Sequence, residues 1–400
     1  MSATDRTLPL LFRPTTIRSV TARNRIMASP MCQYTSVDGM PTDWHFVHLG
    51  RLAFGGAGIV FHEETAVEAR GRKTYDCAGL WRDDQIPSFR RIADLIRSVG
   101  ATPAIQLGHS GGRAASHGAM RDWLPLTEAD AAHGLSPWKA VSASAISTAP
   151  GRQVCHALNQ DEIKETVSHW ADAARRCDRA GFDIVEIHGA HGYLIHQFLS
   201  PVTNQRNDAY GGDRAGRMRL ALEIAEAVRA AWPAHKPLFF RVSSVDGRGG
   251  IWNMDDTVAL ASELKSRGID AIDCSSGGIS GASSMPIVSR VPGYHLPFAR
   301  RVKQEVGVAT IAVGLITKPH QAEDILTGGS ADIVALAREL MYSADWPVHA
   351  ARTLGAHDPL ALFPPSYAFR LRRREEVAQL AINRPGLALT SDAAKLVEST

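Results

Sequence analysis

The sequence predicts an α/β protein folded as a (β/α)8 TIM barrel, with a cap segment ahead of the barrel and a long excursion after its third strand. Three observations predict it. Eight short apolar, β-branched runs alternate with amphipathic helical patterns. Several runs follow Gly or Pro, as in AGIVFH, TPAIQL, AGFDIVEI, KPLFFRV and RGIDAIDC, as expected where a helix ends and turns into a buried parallel strand. Polar residues stand at the ends of nearly all eight runs, and none opens into the G-x-G-x-x-G turn of a doubly wound open sheet.

In chain order the predicted strands are 25–28, 58–62, 103–107, 183–187, 237–242, 271–274, 310–313 and 332–336. The clearest helical patterns, with apolar residues near i, i+3, i+4 and i+7, are 163–179, 218–232, 257–266 and 321–326. Residues 1–23 form the cap, 24–356 the barrel, and 357–400 a C-terminal tail. The excursion at 110–160 carries Trp123, Pro125, Pro137 and Trp138 among small and polar residues. A loop that long is read as a lid or substrate wall. Beyond Pro364 the tail holds RLRRR and then two short helical patterns.

Composition narrows the functional classes. With 400 residues, 21% charged and 44% hydrophobic, the chain reads as an ordinary globular protein, long enough for two domains or one large barrel. A net charge of +3 without a basic stripe speaks against nucleic acid as partner. No apolar run reaches the ~18–20 residues of a membrane span. MSATDRTLPLLF lacks the layout of a signal peptide, so a cytoplasmic location is expected. The five cysteines are scattered and form no C-x-x-C pair, which suggests neither a disulfide framework nor a structural zinc or iron–sulfur site.

The strand ends carry the chemistry. They read SPMCQY (29–34), HEETA (62–66), QLGHSGG (106–112), EIHGAHGY (186–193), FRVSS with Arg241, CSSGG (274–278), AVGLI with Gly314 and ALARE with Arg338. Glycine after strand seven and a helix opening after strand eight suit a phosphate, with Arg338 as a charged fork or, alternatively, a partner in a structural ion pair. Arg241 points into the barrel mouth. It faces a carboxylate such as Glu186, or a ligand that becomes negative during turnover. Gln106 can donate and accept at once, as the edge of a heterocycle requires.

EIHGAHGYLIHQFL places His188, His191 and His196 in nine positions. A helical zinc motif needs histidines at i and i+4 with glutamate between them. Here the first pair is i and i+3, and no third ligand stands at metal spacing, so no metal site is assigned. Two imidazoles at one strand end would instead donate to a carbonyl or nitro oxygen. Tyr193 stands close enough in sequence to deliver a proton to the same ligand. Glu186 is an interior buttress or ion-pair partner, and His196 a packing residue.

These segments resemble the old yellow enzyme family of FMN-dependent ene-reductases, most closely its bacterial, thermophilic-like branch. The likeness runs from about Leu11 to Leu354 and is carried by LFRPTTIRSVTARNRIMASPMCQY, AIQLGHSG, GFDIVEIHGAHGYLIHQFLSPVTNQRNDAYGG, FRVSS, IDCSSGG, AVGLIT and ADIVALAREL. It implies tightly but non-covalently bound FMN, NAD(P)H as reductant, an activated alkene as substrate, and a homodimer or homotetramer.

The resemblance also implies roles for residues. Ser29, Pro30, Met31 and Cys32 would line the flavin, with Cys32 tuning its potential and touching substrate. Tyr34 would contact substrate. Gln106 and Arg241 would hold the pyrimidine side of the flavin, and Glu64 would meet it through its backbone. Gly314, Ala337 and Arg338 would take the FMN phosphate. His188 and His191 would hold the substrate oxygen, and Tyr193 would be the proton donor.

Four positions depart from the family pattern: Glu64 where a small residue is usual, Gly112 where a basic one is, Gly216 for Asn, and Ala337 for Gly. In the tail, which the resemblance places where it could reach a neighbouring subunit, Tyr367 or Arg370 could enter the neighbouring site; a solvated charged tail is the alternative. Segments 110–160, 246–253 and 278–292 would set substrate choice. A metal-dependent hydrolase or lyase on the same barrel, and a catalytically silent flavin-binding sensor, are the competing readings.

Overall fold

The computed structural model describes residues 8–148, 151–246, 251–279 and 288–383. Parts of the predicted cap, of the excursion, of segments 246–253 and 278–292 and of the tail lie outside these residues. Eight parallel strands close into a barrel, each paired with its neighbours in chain order and the last with the first. They are β1 Ile26–Ala28, β2 Ile59–Ala66, β3 Thr102–Gly108, β4 Ile184–Gly189, β5 Leu238–Ser243, β6 Ala271–Ser275, β7 Ala309–Ala312 and β8 Ile333–Leu336. The outer ring is α1 Asp43–Phe54, α2 Ile86–Ser98, α3 Gln160–Arg179, α4 Arg214–Ala231, α5 Met254–Ser266, α6 Leu296–Val306, α7 Pro319–Thr327 and α8 Trp346–Thr353.

Strand alternation divides the core in two. One set of positions, among them Met27, Ile59, Phe61, Ala104, Ile184 and Phe239, fills the barrel interior. The alternate set, including Ile105, Val185, Ile187 and Phe240, packs outward against the helices. The hairpin of Thr15–Ile17 and Val20–Ala22 sets Ile17 and Val20 against the interior cluster. The cap segment therefore closes one end of the barrel.

Helix starts explain where the apolar stripe misled the reading. The stripes predicted starts at 163, 218 and 257, whereas α3, α4 and α5 begin about one turn earlier. Asn159, Asp213 and Asn253 stand just ahead of them and accept hydrogen bonds from the first free N–H groups. Burial marks the stripe, but the cap marks the end. Strand two runs four residues past its predicted end, with a bulge between His62 and Glu64. In the tail, one helix, Pro365–Asn383, replaces the first of two short patterns, and 384–400 lie outside the described residues. Among the described residues no helix is long and apolar enough to cross a membrane.

Candidate active site

Interior positions change character toward the C-terminal strand ends. Ala104, Ile184, Phe239 and Ala271 are apolar. Two residues on, the same strand faces carry Gln106, Glu186, Arg241 and Asp273, all buried. Two further on stand His188, Ser243 and Ser275. The period of two thus carries a polar layer above an apolar floor.

The first polar layer is internally paired. Gln106 Nε2 donates to Glu186 Oε1 at 2.7 Å, and Arg241 Nε lies 3.2 Å from Asp273 Oδ2. Burial pushes both carboxyls up from the usual range; for Glu186 the nearby Asp273 adds to the rise and Arg241 opposes it. Of the two partners open to Arg241 in the sequence, a carboxylate is present, but it is Asp273 rather than Glu186. The Gln106 amide nitrogen serves Glu186, which leaves its carbonyl for other partners.

Above this layer, His188 Nε2 and His191 Nδ1 are 3.2 Å apart. His191 Nε2 lies 2.7 Å from Ser275 Oγ, and its backbone N–H donates to Ser243 Oγ at 2.9 Å. His191 holds φ +58°, a left-handed conformation uncommon without glycine. The next residue, Gly192, has φ +73°, and a Cβ there would lie 2.1 Å from the Gly278 carbonyl oxygen. The strand-four turn is therefore pressed against the loop after β6. Burial, with Arg241 adding to it, holds both imidazoles well below the usual histidine range, so they are neutral at pH 7.

Tyr193 stands edge-on to His188, ring centres 5.1 Å apart. Burial pushes its phenol well above the usual value, with Cys32 and Glu64 adding and Arg113 opposing. Tyr34, at φ +55°, accepts from Trp123 Nε1 at 2.9 Å, so the excursion forms a wall beside it. Cys32 is half-buried, and burial with the nearby Glu63 and Glu64 holds it as a thiol. His196 is fully buried, and its Nδ1 accepts from Gly192 N–H at 2.9 Å. It fastens the turn as well as packing.

Two departures find a geometric reason. The Glu64 side chain leans over Gly108, where a Cβ would lie 2.1 Å from Oε1, so the glycine makes room for the carboxyl. Gly112 is close-packed against Thr148 and Cys155. The basic residue of that turn is its neighbour Arg113, whose Nη1 donates to the His191 carbonyl at 2.7 Å. Tyr367 is 54% exposed and packs edge-on to Phe54 of its own chain; Arg370 lies over Phe369.

A cavity of about 450 Å³ runs from His191 and Arg241 past Tyr294 to Gly314, Ala337 and Arg338. Gly314 has φ +117° and its would-be Cβ meets the Tyr294 ring at 3.0 Å. A helix opens at Arg338 without a side-chain cap, which leaves its first N–H groups to a ligand. Among the described residues the buried Ser29 Oγ has no hydrogen-bond partner, and Arg241 Nε has none beyond its ion pair with Asp273. Pro30 and Met31 follow Ser29 at the mouth, half-buried. An elongated ligand with a phosphate at one end and a polar ring at the other matches these features.

Sequence reasoning missed Ser243, Ser275 and Lys73. The serines were visible in FRVSS and CSSGG at the same alternation as Arg241 and Asp273. Lys73 lies in a loop, where no periodicity points it inward.

Compared with known proteins, residues 10–356 match the model of the NADH:flavin oxidoreductase / NADH oxidase family. The chain is 41% identical over 349 residues to an NADPH dehydrogenase of Geobacillus sp. (strain WCH70), covering 86% of this chain and 95% of that protein. It is 39% identical over 347 residues to an NADPH dehydrogenase of Listeria innocua, again covering 86% and 95%. Among solved structures, morphinone reductase superposes with a TM-score of 0.72 at 24% identity, over 89% of this chain and 93% of that one. An old yellow enzyme homologue from Zymomonas mobilis gives 0.70 at 24% identity, over 90% and 99%. At that identity the two structures speak for the shared barrel alone. The family match and the dehydrogenase relatives go further: the chain belongs to the NADH:flavin oxidoreductase / NADH oxidase family, as an FMN- and NAD(P)H-dependent oxidoreductase.

Proposed function

We propose that this enzyme reduces activated C=C bonds in α,β-unsaturated carbonyls, imides and nitroalkenes. The observation that carries the reading is the convergence of His188 Nε2 and His191 Nδ1, 3.2 Å apart, beside Tyr193. FMN suits the cavity, with Arg338, Ala337 and Gly314 at its phosphate and Arg241 at the ring; when bound it supplies hydride, taken from NAD(P)H, to the alkene β-carbon.

The chain's own residues do the rest. With the Ser275 hydroxyl donating to Nε2, His191 carries its proton on Nδ1, on the side facing His188. His188 with its proton on Nε2 adds a second donor to the same point. A substrate oxygen there is polarised by two neutral imidazoles, and negative charge developing on it is stabilised in a dry site. Tyr193 stays a phenol at neutral pH and holds the proton the α-carbon needs. Arg241 offsets negative charge on the ring side.

The experiment is anaerobic mixing of the NADPH-reduced, FMN-loaded protein with an enone, a maleimide and a nitroalkene, following the flavin absorbance. Reoxidation with formation of the saturated product supports the reading. Reduced protein that reacts with none of the three overturns it.

A further inference from the structure

Lys73 is buried in the wall of this site without a counter-charge. It is 5% exposed, with Nζ 4.5 Å from the Trp123 ring centre and 5.9 Å from those of Tyr34 and Tyr193. Among the described residues its ammonium makes no hydrogen bond and no ion pair. Two further cations stand in the same wall, one of them against Tyr193. Arg113 lies 5.8 Å from the Tyr193 ring centre and donates to the His191 carbonyl. Arg152 donates to the carbonyls of Ala114 and Trp123 and to Ser116 Oγ. Neither arginine forms an ion pair among the described residues. Neutral acceptors orient a guanidinium but leave its charge uncompensated.

The acid on the adjoining strand does not supply the missing charge. Glu64 makes no ion pair among the described residues, and its Oε1 is buried without a hydrogen-bond partner. Burial pushes its carboxyl up to about 8, against the pull of Lys73, so at pH 7 it is mostly the neutral acid. Burial likewise keeps the Cys32 and Cys77 thiols protonated. A buried ammonium without an anion is costly, and the cost is relieved when a ligand brings one.

Resting on the reaction proposed above, we infer that the site takes activated alkenes bearing a carboxylate, which Lys73 binds beside Tyr193 within the positive field of Arg113 and Arg152. Two other roles are less well supported. Support of a Tyr193 phenolate belongs to Arg113, the cation that pulls on that phenol, whereas Lys73 lies over ring faces. The ribose phosphate of NADPH lies at the far end of the dinucleotide from the nicotinamide, whereas Lys73 is next to the proposed proton donor.

The test uses FMN-loaded full-length protein and two matched alkenes, 4-oxopent-2-enoate and its methyl ester, reduced with NADPH. Lys73→Met is expected to lower the acid-to-ester ratio of kcat/KM by about tenfold to a hundredfold, chiefly through KM for the acid, with Lys73→Arg keeping most of the preference. Equal losses for acid and ester overturn the proposal in favour of phenolate support. A changed preference for NADPH over NADH with an unaltered acid-to-ester ratio overturns it in favour of the reductant's phosphate. Wild-type protein that NADPH reduces but neither alkene reoxidises defeats the reaction reading itself, and this proposal with it. Wild-type protein alone gives a second measurement. The saturated product 4-oxopentanoate should perturb the oxidised flavin band at lower concentration than its methyl ester, and equal affinities overturn the proposal.

Discussion

The Ser275 hydroxyl and Nε2 of His191 lie 2.7 Å apart, joining the end of β6 to the turn after β4. With the hydroxyl donating, this contact holds the His191 proton on Nδ1. Ser275→Ala should let His191 populate both tautomers and slow the oxidative half-reaction by roughly tenfold, the worth of about one hydrogen bond. Ser275→Thr should restore most of the rate. Stopped-flow flavin reoxidation by an enone checks both.

Tyr193→Phe removes the phenol and keeps the ring beside His188. Alkene reduction should slow by roughly 10²- to 10⁴-fold, the usual contribution of a positioned acid, while flavin reduction by NADPH slows far less. Comparable losses in both half-reactions would count against Tyr193 as the proton source.

Arg338→Gln removes the charge at the proposed phosphate end of the cavity. Charge-assisted hydrogen bonds contribute about 1.5–3 kcal/mol, so FMN should bind roughly tenfold to a hundredfold more weakly. The ratio of flavin to protein absorbance after dialysis reads this directly.

Gly192→Ala places a methyl group where the Gly278 carbonyl stands, at φ +73°. A left-handed alanine costs roughly 1–2 kcal/mol before the clash is counted. The turn must move, taking His191 with it. Thermal stability and turnover should therefore fall together. A variant with wild-type turnover would mean that this turn does not position His191.

Burial pushes His196 down to about 3, with Arg113 adding to the shift. The unfolded value is about 6.5, so the unfolded chain takes up the proton first as pH falls. The stabilising contribution is complete above about pH 6.5 and is lost as pH falls toward about 3, at up to ~1.4 kcal/mol per pH unit. His62, His188 and His191 are lowered for the same reason and act in the same direction. The raised carboxyls of Glu64 and Glu186 act in the opposite direction over this range, so the His196 contribution is read as a difference between variants in urea titrations with saturating FMN. His196→Gln, able to accept from Gly192 N–H through its carbonyl, should gain stability relative to wild type on going from pH 7.5 to 5.5, and an unchanged difference would count against the assignment.

The barrel was legible because its signals are local. A run such as FDIVEI buries both faces, and β-branched or aromatic residues at period two leave little choice of conformation. Segment ends were less legible where a side-chain cap or a bulge sets them, as at Asn159 and at the step from His62 to Glu64. The site residues on strands followed from the same alternation, which placed Glu186 and His188 on one face and turned Arg241 into the barrel mouth.

By itself, the sequence determined that nearly all eight strand ends carry polar groups to one mouth, and that His188, His191 and Tyr193 stand together at one of them. Those are matters of spacing along a single segment, fixed by backbone period. Only the tertiary structure decided which partners these groups meet: Asp273 for Arg241, Ser275 for His191, and, among the described residues, no ion-pair partner for the buried Lys73. Such pairings depend on how strands and loops distant in sequence close around one another. The free energy of a buried charge or an imidazole proton is set by groups within a few ångströms in space.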